Sequence, residues 1–425
     1  MTKNLRMTKN LRMTKNLRMA VVKNKEEQRM NGVRLKETGK NTAVISFEGR
    51  ISRENAESVG EELTKLRSEN TEEQLVFDFE KLKYISSAGL RILLKAAKNE
   101  KKKIQIFNIP LEIYDILEDT GFVRMFEAHK AMKRYSLSDF EMIGQGANGE
   151  VYRVDSENVI KVFQKTAPLE EIERERTLAQ ESLLAGIPTA ISYSVVMADD
   201  RYGICFEMIN ADTLSNMMKN HPDRYDELSE MYVSLYKKIH ETPVDKDCFP
   251  SVRDIYYDAI TECESWYTAE ETEKLRALVA SVPDRDTMIH GDYHPNNVMY
   301  QDDGLILIDM GDVSYGHPVF DFLATAATQV NLVKLSPEYA AMHTRMPVEL
   351  IKKTWDRLIE KYFGEYDKAE RDRIEEQIAM FSKLKVALAP HFGRGASPEI
   401  IKASIDDAKA NFLPEIDKLI GKVDW

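Results

Sequence analysis

His290-Gly-Asp292, Asn297 five residues on, and Asp309 just after the apolar run 305–308 set out one candidate base and two candidate cation ligands. The stretch reads IHGDYHPNNVMYQDDGLILIDMGD, with strand-like segments around the polar loop. Moving a phosphoryl group to a hydroxyl asks little covalent chemistry of a protein. It needs an aligned acceptor oxygen and neutralisation of the spreading charge. Asp292 could orient that hydroxyl or accept its proton. The Asn297 amide and the Asp309 carboxylate offer the hard oxygen ligands that magnesium takes beside waters and phosphate oxygens. A polar surface turn also uses His, Gly, Asp, Pro and Asn. HGD alone fits either reading; Asn297 and a strand-borne Asp309 favour the phosphoryl-transfer site.

Such a site needs something to hold the donor phosphates. Residues 143–152 read IGQGANGEVY and are followed by NVIKVF at 158–163. Gly144, Gly146 and Gly149 would let a hairpin pass close over phosphates, with Lys161 on a β-branched strand beyond it. A plain hairpin closed at Asn148-Gly149 would read the same way. The order along the chain favours the phosphate loop: glycines, strand lysine, glutamate-bearing helix, HGD loop, aspartate.

The helix that should follow Lys161 carries EEIERERTLAQESLLAGIP, stopped by Gly186 and Pro188. Glu173 and Glu175 could each pair Lys161. Ile172, Glu175, Ala179, Ser182 and Leu183 fall on one stripe, whereas Glu173 shares its face with Arg176, Thr177 and Gln180. Helical phase therefore prefers Glu175 as the inward partner. The competing reading is a solvated face of surface ion pairs.

From about residue 139 to the C-terminus the chain resembles the protein-kinase-like superfamily, and within it the aminoglycoside phosphotransferase and choline kinase branch. HGDYHPNN, IDMGD and HPVFDFLA carry the resemblance. It implies that Asp292 is the catalytic base, that Asn297 and Asp309 hold Mg2+, and that Lys161 with Glu175 fixes the phosphates of ATP. It also implies that Asp321 braces the catalytic loop and that the backbone of Glu207 and Ile209, in YGICFEMINADTL, faces adenine. His290 should pack beneath the loop. No APE-like motif follows Asp309, which departs from ordinary protein kinases. Acceptor-binding side chains should come from the helical half, 322–425, and nothing there names the acceptor.

Residues 31–133 form a separate block of alternating strand-like and helix-like segments, TAVISFEG, SRENAESVGEELTKLRSE, EQLVFDF, a helix from Ser87 to Lys98, KIQIFNIP and LEIYDILEDTGFVRMF. Leu90, Leu93, Leu94 and Ala97 share one helical face, so that helix should pack on a sheet. FDFEKLKYISSAGLRILL, at 77–94, puts Ser86 and Ser87 at a helix N-terminus, where a hydroxyl caps the helix or an added phosphate is stabilised. The stretch resembles the STAS domain of anti-sigma-factor antagonists. On that alignment Ser87 matches the phosphoacceptor and Ser86 stands where an aspartate is common. The expected architecture is α/β plus α+β: a small STAS-like α/β sandwich at 31–133, a linker at 134–138, and a bilobal kinase-like fold at 139–425 with a β-rich N-lobe and a helical C-lobe.

MTKNLR occurs three times from Met1 to Arg18, with too few apolar groups to bury. Residues 1–30 are read as a disordered basic tail. Residues 1–36 hold eleven Lys or Arg against two Glu, so +9, which leaves −21 for the remainder of a chain whose net charge is −12. That acidic remainder argues against a nucleic-acid partner for either folded part. Three cysteines without metal-like spacing argue against a disulfide framework. No apolar run approaches a membrane span and no secretory h-region is seen, so a cytoplasmic protein is expected. Trp266, Trp355 and Trp425 read as core.

The expected function is ATP- and Mg2+-dependent phosphorylation of a hydroxyl, more readily on a small molecule than on a protein, coupled to a STAS-like module that binds a regulatory protein. The alternative is a nucleotide-sensing switch that acts through partner binding, with Ser87 phosphorylated.

Overall fold

The computed structural model describes residues 32–38, 41–146, 149–302, 304–393 and 397–425, so the basic repeat tail lies outside the described residues. The chain divides into two compact units, Met1–Lys133 and Arg134–Trp425.

The first unit is a five-stranded sheet in the order β1-β2-β3-β4-β5. Strands β1 (Gly32–Thr38) and β2 (Thr42–Ile51) form an antiparallel pair. Strands β3 (Gln74–Ile85), β4 (Gln105–Ile109) and β5 (Glu127–Lys130) add in parallel. Parallel neighbours need crossover connections, and helices α1 (Ala56–Glu69), α2 (Ser87–Asn99) and α3 (Leu111–Asp119) supply them. Phe47 packs its ring 4.8 Å from Phe77 and 4.9 Å from Phe79, centroid to centroid, at the centre of this core. Leu90 and Leu93 of α2 are buried in it, while Leu94 and Ala97 are half-buried.

Helix α2 begins where the serine pair expects it. Ser86 is the cap, its hydroxyl accepting from the Gly89 amide at 3.3 Å, and Ser87 is the first helical residue, exposed. A Cβ on Gly89 would sit 2.7 Å from the Ile85 side chain and 2.9 Å from Ile51. The helix start lies so close on the sheet that only glycine fits. Alanine there would gain about 1 kcal/mol in helix propensity, so the clash is read most cleanly with a branched side chain. Gly89→Val is expected to destabilise this unit by about 1–3 kcal/mol, the usual cost of overpacking, measured by urea unfolding. An unchanged midpoint would refute the close packing.

The second unit opens with a six-stranded sheet in the order β6-β10-β11-β9-β8-β7. Residues 134–138, expected as a linker, belong to this unit instead. Strand β6 (Lys133–Tyr135) joins its sheet, and Leu137 is buried in a small cluster with Ile160, Val162 and Val196. The sequence of this stretch is short and polar, and pairing with a distant strand decided its fate. Strands β7 (Glu141–Gln145), β8 (Gly149–Arg153), β9 (Asn158–Phe163), β10 (Ser192–Ala198) and β11 (Arg201–Glu207) complete the sheet, with α4 (Leu169–Leu184) packed against it.

The remainder is mostly helical, built around α5 (Leu214–Asn220), α6 (Tyr225–Glu241), α7 (Val252–Cys263) and α8 (Ala269–Ser281). Thr268 and Glu271 close a capping box that fixes the start of α8. Two short antiparallel sheets carry the loops of interest: β12 (Asp212–Thr213), β14 (Val298–Gln301) and β15 (Gly304–Leu307) form one, β13 (Met288–Ile289) and β16 (Ser314–Tyr315) the other. Helix α9 (Val319–Ala326) is buried along its whole length. Trp355 is buried and Trp425 half-buried, but Trp266 is 40% exposed and does not belong to the core. It stands in a 3-10 turn between α7 and α8, where helical periodicity no longer governs its direction. Among the described residues no helix is long and apolar enough to cross a membrane.

Candidate functional site

Lys161 leaves β9 at a position flanked by Val151 on β8 and Ile204 on β11. Its Nζ donates to Glu175 Oε1 at 2.6 Å and to Asp309 Oδ1 at 2.7 Å. Glu175 is buried on α4 with Ile172, Leu178, Ala179 and Ser182, whereas Glu173 is exposed. Leu183, placed on the same stripe by phase, is 37% exposed, because α4 meets the sheet through Ile172, against Phe163 and Ile204, and turns Leu178 and Ala179 into the helical core. Burial would strip the proton from Lys161, but Asp309 and Glu175 outweigh it and hold the ammonium well above its ordinary value. Burial, with Asp309 nearby, pushes Glu175 up.

Asp309 lies two residues beyond the end of β15, not on the strand itself, in a left-handed backbone conformation at φ 62°. Aspartate tolerates that region better than most side chains. Gly311 follows, where a Cβ would come within 2.9 Å of Glu175 Oε2. The glycine of IDMGD thus leaves room for the Glu175 carboxylate.

The HGD loop runs from β13 into a 3-10 turn, Pro295–Asn297. Asp321, at the start of α9 and fully buried, accepts from the His290 amide and the Gly291 amide, both at 2.9 Å. Its Oδ2 also lies 3.0 Å from His240 Nε2, and His240 Nδ1 lies 2.9 Å from the Tyr362 hydroxyl. Burial would raise Asp321, but these partners, His240 first, hold it below the ordinary carboxylate value. Gly291 is at φ 83°, and a Cβ there would meet the Asp312 carbonyl oxygen at 2.6 Å, so the loop requires glycine. His290 is buried under the loop and its Nδ1 accepts from the Asp292 amide at 3.3 Å.

Tyr293 pins the loop from the other side. Its hydroxyl donates to the Tyr232 carbonyl at 2.7 Å, the Tyr232 hydroxyl donates back to the Tyr293 carbonyl at 3.3 Å, and the rings stack at 4.6 Å. The backbone of Asp292 is therefore held while its side chain remains 35% exposed. Asn297 Nδ2 donates to the Asp292 carbonyl at 3.1 Å and to Asp292 Oδ2 at 3.2 Å. Burial alone would raise Asp292, but His294, with Lys385 and His290 behind it, holds it well below the usual carboxylate range.

Asn297 and Asp309 are brought to neighbouring strand ends. The Ile308 amide donates to the Asn297 carbonyl at 3.0 Å, and Val298 pairs with Leu307. With its NH2 turned to Asp292, Asn297 has the amide oxygen as its remaining polar atom, and Asp309 has a second carboxylate oxygen beyond the one on Lys161. One ammonium among Glu175, Asp309 and Asp312 leaves excess negative charge, which suits a divalent cation.

The glycine loop is the β7–β8 hairpin, with the Gly146 amide donating to the Gly149 carbonyl at 2.9 Å. The hairpin and the glycine loop are one structure. Asn148 of the expected turn lies outside the described residues. A Cβ on Gly149 would fall 2.0 Å from the Val162 carbonyl oxygen, whereas Gly144 and Gly146 meet no such obstacle. Glu207 ends β11, its amide bonded to the Ile191 carbonyl at 2.9 Å, and Ile209 stands just past it, accepting from the Ala211 amide at 3.0 Å.

Sequence reasoning missed His240, Tyr293 and Tyr232, which support the loop. A lone helical histidine and core tyrosines carry no spacing signal.

Residues 139–358 match the family model described as the phosphotransferase enzyme family. The chain belongs to that family. Residues 34–134 match the model of the STAS domain, so a STAS domain precedes the phosphotransferase. Among solved structures, the ADP-bound aminoglycoside phosphotransferase APH(2'')-Ib is 16% identical, over 72% of this chain and 98% of that one, with a TM-score of 0.44. A choline/ethanolamine kinase family protein from Mesorhizobium loti is 16% identical over 66% and 90%, with a TM-score of 0.41. An anti-sigma factor antagonist from Mycobacterium paratuberculosis is 17% identical over 23% and 86%, with a TM-score of 0.21. No curated protein matches the chain in sequence.

Asp321 gives this site a testable energetic signature. Asp321→Ala would leave two loop amides and His240 without their acceptor, and is expected to cost about 3–5 kcal/mol, as breaking a buried pair does. Its folded value is lowered, so its contribution is complete above the unfolded value of about 4 and is lost as pH falls through the lower folded value. Denaturant unfolding against pH checks both: the pH-dependent loss of stability in this acid window should be smaller in Asp321→Ala than in the wild type.

Proposed function

We propose that the phosphotransferase domain moves the γ-phosphoryl group of ATP to a hydroxyl of a small molecule, with the STAS domain as a regulatory module. The observation that carries this reading is the Lys161 ammonium between Glu175 and Asp309, beside an Asp292 carboxylate held by Asn297. Lys161 and the glycine loop, Gly144, Gly146 and Gly149, take the phosphates, and the backbone of Glu207 and Ile209 takes the base. Asn297 and Asp309 would hold Mg2+, which when bound neutralises the charge spreading over the transferred group.

The acceptor hydroxyl hydrogen-bonds Asp292. As the acceptor oxygen forms its bond to the γ-phosphorus, the bridging P–O bond to ADP breaks and the hydroxyl proton passes to the Asp292 carboxylate. A carboxylate held well below its usual range is a weak base in the ground state. It orients the hydroxyl first and takes the proton late, once the developing P–O bond has acidified it, which suits a loose transition state. Asn297 keeps the carboxylate aimed, and Asp321 with Tyr293 keeps the loop from yielding.

Asp292→Asn is expected to lower ATP turnover by about 100- to 10,000-fold, the usual worth of a positioned base, with nucleotide affinity retained. Lys161→Met should weaken nucleotide binding as well. Turnover across candidate acceptors and calorimetric nucleotide titration separate the two, and turnover that ignores Asp292 would sink the enzymatic reading.

A switch operating through the STAS domain is favoured by one observation: Ser86 caps α2, so Ser87 stands exposed at the helix N-terminus with its hydroxyl in no hydrogen bond among the described residues. A phosphate there would meet backbone amides and the positive end of the helix dipole. A regulatory protein that binds this face would then read the modification. Mass spectrometry after incubation with ATP should find phosphate on Ser87 and none in Ser87→Ala; an unmodified Ser87 removes support for in-chain modification.

A further inference from the structure

Three side chains beside the glycine-turned HGD loop make a group that the phosphoryl-transfer chemistry does not use as a set. Asp292 and His294 come from the loop, and His343 reaches them from the helix Pro337–Thr344, some fifty residues further along the chain. One ligand-capable atom from each lies within 4.8 Å of the others. His294 Nε2 stands 3.6 Å from Asp292 Oδ2. The His294 and His343 rings meet edge to face at 5.4 Å, and Tyr339 stacks on His343 at 6.3 Å.

A second observation concerns the hydrogen bonding of the two imidazoles. His294 is 4% exposed, and its Nδ1 is buried without any hydrogen-bond partner. Among the described residues, His343 likewise enters only ring contacts and makes no hydrogen bond. Buried imidazoles normally satisfy their nitrogens. Two imidazoles that make no hydrogen bond, His294 buried and His343 open to solvent, beside a carboxylate have the composition of a two-histidine, one-carboxylate cation site with an open fourth position.

The spacing fits a transition-metal ion better than magnesium. Zinc binds histidine nitrogen and carboxylate oxygen at about 2.0–2.2 Å in a tetrahedron, which puts ligand atoms about 3.3–3.5 Å apart. The Asp292–His294 pair is already near that separation. His343 closes the remaining gap by side-chain rotation, since Tyr339 and the exposed Met342 on its helix leave it at the rim. Magnesium prefers oxygen ligands in an octahedron and would take Asn297 and Asp309 instead.

We propose that Asp292, His294 and His343 bind a zinc-class divalent cation, and that its occupation withdraws Asp292 from the acceptor hydroxyl and inhibits transfer. The inhibitory half rests on the reading of Asp292 as the base, whereas the binding half stands on geometry alone. A cation on Asp292 neutralises the carboxylate, ties up the oxygen that would orient the hydroxyl and fills the space where the acceptor must stand. The nucleotide side, Lys161 with Glu175 and Asp309, is untouched.

Titration of the full chain with Co2+, a spectroscopic stand-in for Zn2+, tests the site without any need for turnover. One equivalent is expected to give visible absorption bands of a nitrogen- and oxygen-ligated ion, displaced by Zn2+. His343→Ala should weaken Co2+ binding by more than the 10- to 100-fold, about, that an outer-shell partner is worth. His343→Asn, which keeps the size of the side chain better, serves as the second variant and should bind as weakly. In turnover assays at saturating Mg2+, Zn2+ should inhibit the wild type, a chelator should reverse it, and His343→Ala should resist Zn2+, each protein being read against its own turnover without Zn2+. Co2+ binding of equal strength in wild type and both variants, or none at all, overturns the site. Binding that depends on His343 with equal Zn2+ inhibition of both proteins overturns the inhibitory role. A chain that binds Co2+ through His343 yet never turns over would leave the site standing and fail the phosphotransferase reading instead.

Discussion

One buried ammonium ties the upper part of the phosphotransferase domain together. Lys161 is shared by a carboxylate on a helix and another on a loop after a strand, so three segments distant in sequence meet at a single charge. Taking any one of these charges out of water alone would be costly, and only their mutual pairing offsets that cost. The surroundings obey the same constraint. Gly311 leaves space for the Glu175 carboxylate, and Asp309 adopts a left-handed backbone that turns it back toward β9. Because the ammonium has two partners, one carboxylate can turn to a cation without leaving Lys161 unpaired.

The second constraint is that the HGD loop must be rigid in its backbone and open at one side chain. Asp321 gathers two loop amides and a histidine from another helix, and the paired tyrosines 232 and 293 lock the opposite side. These supports lie in the dry core, where each hydrogen bond is strong and a missing partner is expensive. Asp292 itself faces outward, fixed by Asn297 and electrostatically biased to stay ionised. Rigid backbone with an accessible carboxylate is what positioning a hydroxyl demands.

The STAS domain solves a different packing problem with the same economy. Its first catalytic-looking feature, the serine pair, is largely a helix start pressed onto a sheet, with Gly89 admitting the close approach and Ser86 supplying the cap. Ser87 is left outward because the cap position has already been taken by its neighbour.

Helical phase and residue chemistry made much of this legible in the sequence: the α/β character of the first domain, the glycine hairpin, the strand lysine, the preference for Glu175 over Glu173, and the ordered set Asp292, Asn297 and Asp309. Those are local properties, set by periodicity, backbone permissiveness and the oxygen or nitrogen atoms a side chain carries. Folding alone decided that Lys161 takes two carboxylates, that residues 134–138 enter a sheet, that Leu183 and Trp266 face outward, and that His343 arrives beside Asp292. Each of these depends on which segments meet across tens to hundreds of residues, and a burial energy shared between distant surfaces leaves no period or spacing in the chain from which it could be read.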